Sequence, residues 1–192
     1  VVLAGVALLA ALVLGWLSGG SLDRLGALPL HSRGLVFGAF AAQAAGAVIG
    51  GPVYPLGLAV SAALVVWFLK RNRGVRGTGL VSLGLLCNAL VVGLNGAMPV
   101  SVDAAGRAGT TTQHILIGDD PRHELADQHT RLRFLGDIVP VRAPWRPEVV
   151  SPGDVLIAAG LAQLVLIGMR TGRKPARHAR RRTPSPAACV TL

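Results

Sequence analysis

The chain has 192 residues, 52% of them apolar and only 15% charged, with a mean hydropathy of +0.55. A soluble domain carries roughly 25% charged residues, so this composition excludes an ordinary water-soluble fold and points to a multi-pass membrane protein. The formal net charge of +10 does not call for nucleic acid, because most of the basic residues sit in two short links and a terminal tail on one side of the apolar runs, where they orient a membrane protein.

The first apolar run, 1–18, is uncharged and about one bilayer thick. It lacks the basic n-region of a signal peptide, and Ser18-Gly19-Gly20-Ser21 is a mediocre cleavage site, so it reads as a first span. Ser21 to Leu30 is a connector along the interface, with Asp23 and Arg24. In the second run, 34–50, Gly34, Gly38, Ala42, Gly46 and Gly50 recur every four residues. Such a stripe lets a neighbouring backbone approach, and packing within one bundle is preferred to a dimer interface. Gln43 is the lone strongly polar side chain there and is expected to bond to a neighbouring helix. An uncharged turn at 50–55 leads to the third run, 56–69, closed by Lys70, Arg71, Arg73 and Arg76.

The fourth run, 78–97, carries Asn88 and ends at Asn95-Gly96. Asparagine and glycine tolerate positive φ, so a helix-ending turn is expected there. A polar region spans 98–150. The fifth run, 153–169, is preceded by Ser151-Pro152-Gly153-Asp154, a capping box with proline at the first helical position. Asp154 is therefore expected to be a cap. Seven basic residues between Arg170 and Arg182 precede Thr183-Pro184-Ser185-Pro186, so 170–192 is expected to be a disordered cytoplasmic tail.

Thirteen of the nineteen basic residues fall on one side of this arrangement. The positive-inside rule then places the N-terminus outside and the C-terminus inside a cytoplasmic (inner) membrane, with five spans. Eight of the nine acids lie between Asp103 and Asp154, on the outer side. The basic inner loops and tail are expected to touch anionic lipid. Trp16, Trp67 and Trp145 fall at span ends or adjoining loops, which suits interfacial anchoring. Cys87 and Cys189 fall in different compartments, so no disulfide is expected. The expected fold is an all-α membrane protein of about five transmembrane helices over 1–169, with an outer polar cap at 98–150 inserted between helices four and five.

The string Asn88 to Ser101 (N-A-L-V-V-G-L-N-G-A-M-P-V-S) is followed by Thr130-Arg131-Leu132, Leu135-Gly136-Asp137-Ile138-Val139-Pro140 and Ser151-x-Gly153-Asp154. In this order they resemble a bacterial multi-pass family known only as domain of unknown function 5317. The resemblance covers most of the chain up to about Met169. It implies a small integral membrane protein and supplies no reaction, so no catalytic residue is carried over.

Asn88 and Asn95, seven apart, lie nearly on one helix face. Helix–helix bonding and the terminal turn are preferred to a polar site lining a cavity, with Arg131 and Asp137 as its further candidates. An Asp137–arginine ion pair is preferred to a proton or ion site. The outer His114, His123, Asp127 and His129 are the candidate metal ligands. His123 and Asp127 have the i, i+4 spacing of one helix face, but this is not H-E-x-x-H, and a hydrated loop explains the same residues. No cofactor, catalytic residue or nucleic-acid partner is expected. The leading functional expectation is a non-enzymatic accessory, assembly or partner-binding membrane protein. The alternatives are a small transporter or channel component, and a membrane enzyme using the outer His/Asp/Glu cluster.

Overall fold

Runs of leucine, valine, alanine and glycine without charge have no polar face to turn toward water, and each satisfies its backbone by folding into a helix. The computed structural model of the chain describes residues 2–49, 53–109 and 123–171. Its helices are α1 (Val2–Leu17), α2 (Leu22–Gly26), α3 (Gly34–Ile49), α4 (Val53–Arg71), α5 (Thr78–Asn95), α6 (Val102–Ala108) and α7 (Pro152–Thr171). Two of them, α5 and α7, are long and apolar enough to cross a membrane, while α1 and the first part of α3 are shorter apolar helices. The turn at 50–52, the side chain of Gln43 and the tail beyond Thr171 lie outside what is described.

The helix α7 is the axis of the bundle, with α1 and α5 packed along it and α2 beside it. Val2 and Leu3 lie at Glu148, just before α7, while the Ser21 N–H donates to Met169 O near its other end. The helices α1 and α7 therefore run in the same direction. The helix α5 runs against them, because Gly77 meets Gly160 and Gly84 meets Gly153. There the two backbones touch: a Cβ on Gly160 would lie 2.7 Å from Gly77 O and 2.8 Å from Val81 N. Sequence reading named Gly153 only within the capping box and passed over the packing of these four glycines, because their seven-residue spacing on two separate helices acquires meaning only when the helices cross.

The helices α3 and α4 form a hairpin that touches α5 lightly. A Cβ on Gly57 of α4 would lie 2.6 Å from Ala42 O and 3.1 Å from Gly46 Cα, and one on Gly38 would lie 3.3 Å from Leu64. The four-residue stripe of α3 thus packs within the chain at Gly38, Ala42 and Gly46, whereas Gly34 faces open space. Gly57→Leu is accordingly expected to destabilise the detergent-solubilised protein by about 1–3 kcal/mol through overpacking. Gly5→Leu, with nothing within 4 Å, should leave thermal unfolding unchanged. Equal melting of the two variants would refute the packed hairpin.

The described chain is mostly helical, as expected, but the 98–150 region adds short strands. Among the described residues it contains β1 (Met98–Val100), β2 (His123–Leu125), β3 (Val139–Val141) and β4 (Glu148–Val150), with a 3-10 turn at Arg133–Leu135. The strands β1 and β2 pair in parallel, Met98 with His123 and Val100 with Leu125, and β3 pairs antiparallel with β4. The prolines Pro99 and Pro140 and the flanking valines favour extended backbone. Met98, Val100, Ala104, Ala105, Ala108 and Val150 form a small apolar core under this cap.

Candidate functional site

The polar side chains at the ends of α5 and α7 converge where the cap meets the bundle. The capping box forms at the start of α7: the Asp154 N–H donates to Ser151 Oγ at 3.0 Å, and the Ser151 N–H donates to Asp154 Oδ2 at 3.2 Å. Asn88 closes the group from α5. Its Nδ2 donates to Asp154 Oδ1 at 2.8 Å, and its Oδ1 accepts from Ser151 Oγ at 2.9 Å. Ser151 is fully buried, so each of these bonds replaces one that water would have made. Gly153 is required here, because any Cβ on it would fall on Asn88 Oδ1. Asp154 is thus the cap that the sequence indicated, and Asn88 is the helix–helix bond.

Two turns further along α5, Asn95 holds the cap directly. Its Nδ2 donates to Val91 O at 2.9 Å and to Arg131 O at 3.0 Å, while its Oδ1 accepts from the Arg131 N–H at 2.8 Å. The side-chain amide thereby mimics a paired strand. The helix ends at once in left-handed Gly96, φ 91°, as Asn95-Gly96 indicated. The residue after the clasped one, Leu132, is also left-handed, at φ 52°, a conformation costing roughly 1–2 kcal/mol for an L-residue.

The same clasp recurs at the opposite end of the bundle. Asn72, buried in the basic turn after α4, donates to His31 O at 3.0 Å and accepts from the His31 N–H at 2.8 Å. The next residue, Ser32, is again left-handed, φ 59°. Leu35 N–H donates to Ser32 O as Leu135 N–H donates to Leu132 O. Sequence analysis missed Asn72 because the surrounding arginines read only as charge. Asn95→Ala is expected to cost about 0.5–1.5 kcal/mol, the net worth of a hydrogen bond, because the Arg131 groups it frees are exposed. Hydrogen exchange at the Arg131 amide checks this, and unchanged protection there would contradict the clasp.

Asp137 is brought to the same junction by backbone pairing with β1: its N–H donates to Pro99 O, and its carbonyl accepts from the Ser101 N–H, both at 2.9 Å. The residue is 5% exposed. Its Oδ2 lies 3.8 Å from His123 Nε2, and its Oδ1 has no hydrogen-bond partner among the described residues. Burial, followed by the charges of Asp154 and Glu148, pushes its pKa up to about 7, although the chain's amino group acts in the opposite sense. Among the described residues the basic side chain facing the Asp137 carboxyl is that of His123 rather than an arginine, carried there by the β1–β2 pairing. The Glu148 carboxylate faces the first turn of α1 and accepts from the N–H groups of Val2 and Leu3 at 3.1 and 2.8 Å.

The helical placement of the metal candidates is overturned. His123 lies on β2 and Asp127 in the following turn, where its Oδ1 accepts from the His129 N–H at 2.8 Å and from Thr130 Oγ at 3.0 Å. The Thr130 hydroxyl, then the His129 N–H, hold the Asp127 carboxyl below the usual aspartate range. No group of three potential ligands converges among the described residues, and His114 lies outside them. Asn88, Asn95, Arg131 and Asp137 do gather at one junction, but the two asparagines and the Arg131 backbone are engaged in fastening it. The group there that responds to pH is Asp137.

No curated protein and no solved structure matches the chain. A family model described as "Family of unknown function (DUF5317)" matches residues 29–166.

Proposed function

The chain belongs to that family of unknown function, DUF5317, and from this membership and the junction's geometry we propose a non-enzymatic, partner-binding protein of the bacterial cytoplasmic membrane. In this reading α1, α3, α4, α5 and α7 are five spans, the N-terminus and the cap face outward, and the basic tail lies inside. The outward apolar faces support it: Leu9, Trp16, Phe37, Phe40, Val48, Leu56, Val66 and Leu86 are each more than half exposed. A soluble bundle would bury such residues. Only 22% of the apolar window of α5 and 28% of that of α7 are buried, which suits helices solvated by lipid.

The observation that carries the function is the use made of the span-end amides. Asn95 fastens the cap to α5, and Asn88 ties the start of α7, where the cap ends, to α5, so in this reading they hold a platform at the membrane surface. That platform presents Phe134 and Trp145, 65% and 74% exposed, and aromatic residues of this kind anchor protein interfaces. A photo-crosslinker at Trp145, in membranes of the native host, should yield one discrete adduct that an excess of unlabelled protein suppresses. Solute flux in proteoliposomes that Asn88→Ala abolishes would instead favour a transporter.

Topology has its own test. In a Cys87→Ala, Cys189→Ser background, exposed Val102→Cys should react with an impermeant maleimide in intact cells, and Arg73→Cys only after permeabilisation. Equal reaction of both in intact cells would overturn the orientation.

A further inference from the structure

The inner end of the hairpin carries more positive charge than the protein itself neutralises. Between Arg24 and Val102 the sequence holds no aspartate or glutamate, yet Arg33, Lys70, Arg71, Arg73 and Arg76 fall within it. Arg33 is occupied with the carbonyls of Gly26 and Leu28, at 3.4 and 2.9 Å. Lys70 and Arg71, the latter also donating to Ser32 Oγ at 3.4 Å, crown an open groove of about 530 Å³ on one face of α4, lined by Ala63, Val66 and Trp67. These five positions recur at helical spacing, so they form one continuous strip. The Arg71 guanidinium stands over the Trp67 ring, 5.7 Å from its centroid, which fixes both side chains at the groove's edge. Val66 and Trp67 are 58% and 53% exposed, so nothing in the chain's described part fills the strip.

We infer that this groove is a binding site for an anionic phospholipid. The inference rests on the membrane reading of α4 given above. One acyl chain lies along Ala63, Val66 and Trp67, and the headgroup phosphate sits between Lys70 and Arg71. The chemistry selects this occupant. An apolar wall with cations at one end matches an amphiphile with an anion at one end, while a soluble anion would match only the crown. The chain's own tail is no substitute, because its seven basic residues up to Arg182 would be repelled by the crown. Two cations near a headgroup favour an anionic over a zwitterionic lipid by on the order of tenfold.

Tryptophan quenching tests the site in the full-length protein reconstituted into vesicles. With Trp16→Phe and Trp145→Phe, Trp67 is the sole emitter. Phosphatidylglycerol brominated near the top of its acyl chains, at low mole fraction, should quench it far more per mole than similarly brominated phosphatidylcholine. Lys70→Gln with Arg71→Gln should abolish that preference and leave quenching by phosphatidylcholine intact. Equal quenching by the two lipids, or a preference that survives the double substitution, would overturn the site. Quenching of Trp67 by neither lipid, while Trp16 in a Trp67→Phe, Trp145→Phe protein is quenched, would give the groove to a second copy or another protein. If neither tryptophan is quenched by either lipid, the membrane reading itself fails.

Discussion

Gly153→Ala is expected to lower the melting temperature of the solubilised protein steeply, by an amount corresponding to about 3–5 kcal/mol from overpacking plus lost buried hydrogen bonds. The new methyl would fall on Asn88 Oδ1, and it would also lie 2.7 Å from Gly84 O. The asparagine cannot step aside cheaply, because Asp154 and Ser151 hold its two ends. Gly93→Ala on α5 is the control: nothing lies within 4 Å of that position, and alanine there gains helix propensity. The double variant Asn88→Ala, Gly153→Ala removes the obstructing side chain, so it should be less destabilised than the sum of the single changes. Additive losses, or a Gly153→Ala protein that melts with the unmodified one, would refute the contact.

The second expected effect is a stability that falls as pH rises, relieved by Asp137→Asn. The folded pKa of Asp137 is raised from 3.8 to about 7 by its burial and by Asp154 and Glu148. A carboxyl with a raised folded pKa contributes stability that is fully present below its unfolded pKa and is lost as pH rises through the folded value. The window therefore runs from about pH 4 to pH 7, with a loss on the order of 4 kcal/mol at 1.36 kcal/mol per pKa unit. Asp137→Asn removes the charge and should melt higher than the unmodified protein at pH 8, with a flatter profile. The His123 ring faces the Asp137 carboxyl at 3.8 Å, so His123→Gln must be measured beside it and should keep most of the slope. A melting temperature independent of pH between 5 and 8 would contradict this account.

Local chemistry was legible where one stretch of chain decides it. Ser151-Pro152-Gly153-Asp154 fixes a helix start through bonds three residues apart, and Asn95-Gly96 fixes a helix end through backbone conformation alone. Membership of the family was likewise legible in the strings around Asn88, Asp137 and Ser151. What remained hidden depends on residues meeting across the fold. His123 and Asp127 have helical spacing, but β1 lies alongside and competes for the same backbone, so the stretch becomes a strand and turn. Three-residue strands containing Pro99 and Pro140 carry too little alternation to be read as a ladder. The clasp of Asn72 on His31 joins residues 41 apart, and nothing local marks either one.

The paired clasps give α5 a mechanical character. Its entry is moored through Asn72, whose carbonyl also accepts from the Thr78 hydroxyl at 3.1 Å, and its exit is moored through Asn95 to Arg131. Eighteen residues lie between these moorings in helical form, a rod about 27 Å long at 1.5 Å per residue. A rod fixed at both ends carries tension and compression without taking up slack. A load on the 98–150 region would thus be passed along the rod toward His31 and the start of α3 at the other end of the bundle, and too large a load would part the Asn95–Arg131 bonds while the chain itself still runs on from Gly96 into β1.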